Sequence, residues 1–125
     1  MSALGWVAFL LAAGSGAVAR FVISVELRHR AGPTRPWGTF AANVTGCLVA
    51  GLIGGFALHH GLDGQIAIVV AVGFAGSLTT FSTFAYETIR LAETGEWTTA
   101  TTNLFGSVVA GGAAGALGLV IPSLW

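Results

Sequence analysis

The sequence predicts an all-α membrane protein of four transmembrane helices, and three observations carry that prediction. Only 8% of its 125 residues are charged and 54% are hydrophobic, where a soluble domain carries roughly 25% charged residues; the mean hydropathy is +0.83. The apolar residues fall into four stretches of about twenty residues, the length a helix needs to cross the hydrocarbon of a bilayer. Trp6, Trp37, Trp97 and Trp125 all lie at the ends of those stretches, where an aromatic belt meets the headgroups.

The spans fall at about 3–25, 37–58, 65–86 and 99–121, and they leave no room for a separate soluble domain. Formal net charge is zero and there is no basic tract, which excludes nucleic acid as the expected partner. Cys47 is the only cysteine, so neither an intrachain disulfide nor a thiolate cluster is available, and it reads as a small packing residue. The N-terminus lacks a basic region before its apolar run, so the first stretch is expected to remain as a span.

In the first span Ala13, Gly14, Gly16 and Ala17 form a face small enough for close helix contact. Arg20 lies about a turn and a half inside its far end. It either snorkels to the headgroups or lines an entrance that attracts anions. The stretch from Glu26 to Pro36 is polar and holds two prolines, so it is expected to be a connection through which no helix continues.

The second span places Thr39, Asn43, Gly46 and Ala50 at three- and four-residue spacing, one polar-to-small stripe. An amide in a membrane must find a partner or face water, so Asn43 is either an interhelical hydrogen bond or a pore group. Gly51 and Gly55 form a further packing face. His59 and His60 sit in a short turn and point apart, which does not suit a metal pair.

The third span contains the oddest stretch of the chain, Gly73-Phe74-Ala75-Gly76-Ser77-Leu78-Thr79-Thr80-Phe81-Ser82-Thr83-Phe84. Such a sequence at mid-membrane is expected either to back-bond its hydroxyls within a helix or to break the helix near Gly76-Ser77. Irregular backbone at that depth survives only beside protein or a water-filled cavity, and half-helix ends make ion sites. With helix resumed by Thr80, Phe81 and Phe84 share a face, which Glu87 extends toward the surface. The fourth span carries a second polar stripe, Asn103 and Ser107, continued by Gly111 and Gly115.

No span has a carboxylate near its middle, and the three histidines lie at loops or span ends, so neither a proton relay nor a nucleophile–base pair is evident. What remains are hydroxyls, an amide, broken backbone and phenyl edges, which suit passive conduction of a small ion rather than an enzyme. Small-residue faces on several spans point to an oligomer.

The third-span motif, with Glu87 after it, resembles the signature of the CrcB/Fluc fluoride channels. So do Gly14-Ser15-Gly16-Ala17-Val18-Ala19-Arg20 and Gly38-Thr39-Phe40-Ala41-Ala42-Asn43-Val44-Thr45-Gly46-Cys47. The resemblance implies a multi-pass protein of the cell inner membrane, a four-helix protomer in an antiparallel, dual-topology dimer with two fluoride pores. It implies Phe81 and Phe84 as pore phenylalanines, Asn43 as a pore amide, and Ser82, Thr83 and Ser107 as polar lining, with Thr39 on the same track as Asn43. Arg20 and Glu87 match positions near the pore ends. It further implies a structural sodium ion at the dimer centre, held by the carbonyls of Gly76 and Thr79. The chain departs from the family in carrying Asn103 where tyrosine is common and Ser77 where a second glycine is common. Fluoride, a strongly hydrated anion, needs donors to replace its water, which Asn43 and hydroxyls supply and phenyl edges supplement.

The alternatives are a small four-span multidrug-type exporter, which needs an embedded acid that Glu26 at a span end does not provide, and a structural subunit whose stripes only join helices. Arg28, Arg30, Arg35 and Arg90 all fall on one side. That bias predicts a preferred orientation, and so either a homodimer or a heterodimer with a paralogue of opposite bias.

Overall fold

The computed structural model describes all 125 residues, and its regular structure is helical throughout, with no strand. Four helical stretches are long and apolar enough to cross a membrane. The first is α1, Ala3–Ala31, and the second α2, Trp37–His60. The third is divided into α3, residues 64–78, and α4, Phe81–Glu93. The fourth is α5, Trp97–Val120, closed by a short 3-10 turn over Ile121–Leu124. The chain runs up and down, so the ends of α1 and α4 lie on the same side as the starts of α2 and α5.

Helix α1 outruns the expected span and takes in Glu26 to Ala31. The prolines begin only at Pro33, and the preceding residues are good helix formers. An exposed Glu26–Arg30 pair four residues apart closes at 2.6 Å. Gly32, at φ +94°, ends the helix by adopting a backbone that other residues resist. Ser2 caps the start by accepting from the Gly5 N–H. The third span also outruns its expected end, to Glu93.

Within α3, Ile68–Ala75 is wound as a π-helix, and the Gly76 N–H reaches back five residues to the Ala71 carbonyl. The expected break is present but lies three residues later than Gly76-Ser77, at Thr79-Thr80. Gly76 and Ser77 belong to the last turn of α3. Gly76 keeps helical backbone with its N–H bonded to the Ala71 and Gly73 carbonyls, whereas the two successive β-branched threonines favour extended backbone.

Only 19 residues are buried, most of them small, and large apolar side chains such as Leu4, Leu10 and Val18 point outward. In lipid there is no hydrophobic drive to bury them, so close backbone packing must hold the helices. Glycines provide it. A methyl on Gly51 would strike the Gly115 backbone; on Gly118 it would meet the Leu48 carbonyl at 2.6 Å, and on Gly55 the Leu119 carbonyl at 2.7 Å. These residues form the seam between α2 and α5. Gly16 lets α1 lie on the Phe74 carbonyl of α3, and Gly46 lets α2 pass beneath Thr79. The sequence-level stripe of α2 thus faces the break.

Candidate functional site

Breaking a helix strands carbonyls on one side and N–H groups on the other, and each is costly in a membrane unless partnered. Here Thr79 (φ −80°, ψ 157°) and Thr80 (φ −151°, ψ 127°) are extended. Their neighbours satisfy most of the stranded groups. The Thr79 N–H still reaches the Ala75 carbonyl at 3.1 Å, and the Thr79 hydroxyl donates to the Gly76 carbonyl at 3.2 Å. The Thr79 carbonyl accepts from Arg20 Nη1 at 3.0 Å.

Asn43 supplies the partner for Thr80. Its Nδ2 donates to the Thr80 carbonyl at 3.0 Å, and its Oδ1 accepts from the Thr80 N–H at 2.7 Å. One amide side chain therefore imitates a neighbouring peptide and fixes both polar groups of the extended residue. The two bonds also orient the amide, since a flip would set donor against donor and acceptor against acceptor. Thr80 in turn caps α4, its hydroxyl accepting from the Thr83 N–H at 3.3 Å and lying 3.3 Å from the Ser82 hydroxyl. Phe81 and Ser82, the first two residues of α4, have no carbonyl a turn below them, so their N–H groups form the positive end of the helix.

Phe81 and Phe84 share one face of α4, with ring centroids 5.9 Å apart and planes inclined at 52°. Their surroundings differ: Phe84 is buried, whereas Phe81 is 79% exposed and turns its ring away from the chain.

Beside the break lies a cavity of about 240 Å³. Arg20, Thr39, Thr80 and Thr83 line its inner part, Glu87 its wall, and Arg28, Arg35 and Pro33 complete it. Three arginines against one carboxylate make this vestibule attractive to anions. Arg20 does not snorkel; it turns inward to the Thr79 carbonyl. One Glu87 oxygen, Oε2, is buried without a hydrogen-bond partner. Thr39 is buried at the same site.

On the far side of α2, a second cavity of about 410 Å³ is lined by Trp37, Phe40, Thr98, Thr102, Asn103 and Gly106, among others. Thr98, Thr102 and Gly106 recur every fourth residue, a stripe visible in the sequence beside Asn103 and Ser107. Those two are bonded to each other, Ser107 Oγ to Asn103 Oδ1 at 3.3 Å, and Asn103 Nδ2 continues to Thr88 Oγ1 at 2.8 Å. Nothing in the local sequence marks Thr88; its partner lies fifteen residues away. Ser107 thus sits with Asn103 on the α4–α5 contact, while Asn43, Arg20, Thr39, Ser82, Thr83 and Glu87 gather around the break.

The chain has no group of three or more His, Cys, Asp or Glu side chains arranged to hold a metal. The Gly76 and Thr79 carbonyls are neutral hard oxygens, the donor type an alkali cation takes. Each already accepts one hydrogen bond and keeps a second lone pair. They fit a monovalent cation in kind, with Arg20 as a competing positive charge on one of them. Gly76 is exposed, so two carbonyls of this chain could complete a ligand set only with oxygens from outside it.

A family model described as CrcB-like protein, Camphor Resistance (CrcB), matches residues 7–119. The chain is 45% identical over 124 residues to the fluoride-specific ion channel FluC 1 of Streptomyces avermitilis, covering 98% of this chain and 94% of the relative. It is 37% identical over 123 residues to FluC 1 of Frankia casuarinae, with 94% and 95% covered. To FluC 2 of Mycobacterium bovis it is 38% identical over 113 residues, with 90% and 86% covered.

Proposed function

The chain belongs to the CrcB-like family, and we propose that it is a fluoride-selective channel through which the ion leaves the cell passively across the cytoplasmic membrane. The observation that carries this reading is the clamped break at Thr79-Thr80. It brings the N-terminal end of α4, the Asn43 amide and the Arg20 guanidinium to the inner end of a cationic vestibule. Fluoride sheds its water only where donors replace it. The N–H groups of Phe81 and Ser82, the second Nδ2 proton of Asn43 and the Thr83 hydroxyl are donors within that region, while the Ser82 hydroxyl donates to Thr80, whose own proton goes to Thr83. The vestibule arginines raise the local anion concentration. Phe81 and Phe84 border the path beyond, where ring edges, which carry partial positive charge, meet the ion without admitting bulk water.

The exporter alternative loses its acid: Glu26 is exposed and paired with Arg30 at the end of α1. Nothing else in the spans offers a proton carrier at mid-membrane. Fluoride efflux from proteoliposomes of the purified protein, with chloride as the comparison anion, tests the reading. Fast fluoride-selective efflux is the expected result, and an efflux no faster than that of empty vesicles would overturn it.

The finer assembly belongs to the same proposal. Phe81 and Gly76 lie on an open face of the protomer, which suits an antiparallel second copy that pairs the two breaks. Residues Gly76 and Thr79 of both copies would then hold a sodium ion, whose chemistry is to balance the carbonyl ends of the half-helices. Sodium-dependent thermal stability of the purified dimer, lost on exchange for a bulky organic cation, is the expected signature.

The arginine side of the chain carries Arg28, Arg30, Arg35 and Arg90, and the opposite side none. That asymmetry favours a cytoplasmic arginine side and a partner of opposite bias, a paralogue, in the cell. Single cysteines at Thr34 and His60, introduced with Cys47→Ala, should label unequally from outside whole cells. Equal labelling would mean true dual topology and a homodimer.

A further inference from the structure

We infer that Asn103 is a positioning residue for the phenylalanine face of the third span and that it acts through Thr88. The inference rests on the channel reading. Helix α4 buries only Phe84 and Leu91, so apolar packing alone holds it loosely against α5. One side-chain hydrogen bond ties the two helices, Asn103 Nδ2 to Thr88 Oγ1 at 2.8 Å. Asn103 is only 7% exposed, so water is a poor substitute for this partner.

The bond belongs to a chain whose direction is fixed by one backbone carbonyl. Thr88 lies four residues after Phe84, and its hydroxyl donates to the Phe84 carbonyl at 2.8 Å. A carbonyl only accepts, so the single proton of Thr88 is committed there. Its Oγ1 must then accept from Asn103, which turns the amide nitrogen toward Thr88 and the oxygen toward Ser107. Ser107 must in turn donate to that oxygen, at 3.3 Å. Every hydroxyl proton in the chain is therefore spent inside the protein. Ser107, whose position suggested a pore donor, offers the ion only lone pairs while this chain is intact. The second amide proton of Asn103 is the one donor left over, on a residue that lines the larger cavity.

Asn103 holds Thr88 in the rotamer that grips the Phe84 carbonyl. Without it the hydroxyl regains freedom to rotate, the carbonyl loses a constrained partner, and the turn carrying Phe84 loosens from α5. The effect on conduction is then indirect, through ring position.

Fluoride efflux from proteoliposomes separates this role from direct ion contact. Asn103→Leu and Thr88→Val are each expected to slow efflux about tenfold, as the loss of a buried hydrogen bond implies. The double variant should be no slower than the slower single, since both cut one chain, and Thr88→Ser should restore the wild-type rate. Wild-type efflux in Asn103→Leu, or a double variant slowed by the product of the two singles, would overturn the inference. If Asn103→Leu fails to assemble, equal rates for Thr88→Val and Thr88→Ser overturn it just as well. A wild type that does not conduct fluoride overturns the channel reading, and this inference falls with it.

Discussion

Between α2 and α5 glycines let backbone rest on backbone, whereas between α3 and α4 side chains replace backbone partners that the break removed. At its glycine contacts the seam has no polar side chain to lose and no space to gain: Gly51 lies against Gly115, and Gly118 against Leu48 and Gly51. The break is the reverse. Thr80 sits in extended backbone only because Asn43 accepts its N–H and donates to its carbonyl, while Arg20 covers Thr79. One region is therefore intolerant of added atoms and the other of removed groups. The seam sets whether the protein assembles. On the channel reading, the break bears on conduction.

The largest effect should come from adding bulk to the seam. A Cβ at Gly118 would already stand 2.6 Å from a carbonyl oxygen and 2.7 Å from a backbone nitrogen, and neither can rotate away as a side chain would. Gly118→Leu is expected to cost more than about 3 kcal/mol, beyond the usual range for overpacking. The variant should elute as aggregate, or be lost from the membrane fraction. A monodisperse, conducting Gly118→Leu channel would mean that the seam is far more pliable than its contacts imply.

Removing the clamp should do the opposite, sparing assembly and stopping conduction. Asn43→Leu keeps the branched shape and leaves the Thr80 N–H and carbonyl without partners, at about 1–3 kcal/mol for each buried group. Efflux is expected to fall about a hundredfold, equivalent to some 3 kcal/mol, while size-exclusion behaviour stays normal. Asn43→Asp should not rescue it, because an ionised carboxylate accepts from the N–H but repels the carbonyl. Full activity in Asn43→Asp would show that the reciprocal bonding is dispensable.

The ring pair should respond less. Phe84→Ile and Phe81→Ile each keep an apolar side chain and lose a ring edge, a contact of about 1 kcal/mol or somewhat more, so efflux should fall about tenfold or further. Phe84, buried in the protomer, should also lose some thermal stability; Phe81, open to its surroundings, should not unless a second copy covers it. Unchanged efflux in both variants would remove the rings from the path.

Much of this contrast was legible in the sequence because it lies in residue type and local spacing. Glycines four apart in α2 announce a packing face, and hydroxyls among phenylalanines at mid-span leave a choice between a back-bonded helix and a break. Gly76 and Ser77 look like helix breakers, yet the break lies three residues later, and both stay in the last turn of α3. The threonines after them decide the backbone. The π-winding of Ile68–Ala75 left no sign in a uniformly apolar run. Partnerships were the least legible. Asn43 needs a partner, but Thr80 is 37 residues away, and Arg20 turns inward because of a carbonyl 59 residues distant. Helix α1 runs to Ala31 because its helix formers continue up to Gly32, just before the prolines.

The smallest expected effect distinguishes glycines that the protomer needs from those it does not. Gly14 and Gly16 read alike in the sequence, as parts of one small face of α1. In the structure Gly16 rests on the Phe74 carbonyl, whereas a methyl at Gly14 would meet nothing within 4 Å. Gly14 keeps company with Val7, Leu10, Leu11, Val18 and Phe21, all exposed, a face that suits lipid rather than a second protein. Alanine at position 14 should therefore raise thermal stability slightly, by about 0.5–1 kcal/mol, through helix propensity alone. Gly16→Ala should lower it, since the carbonyl it strikes is fixed in α3. The sign of the Gly14 change is the informative part. A loss of stability there, with efflux reduced, would mean that this face of α1 is covered by a second copy. The open face around Gly76 and Phe81 would then not be the whole of the dimer contact.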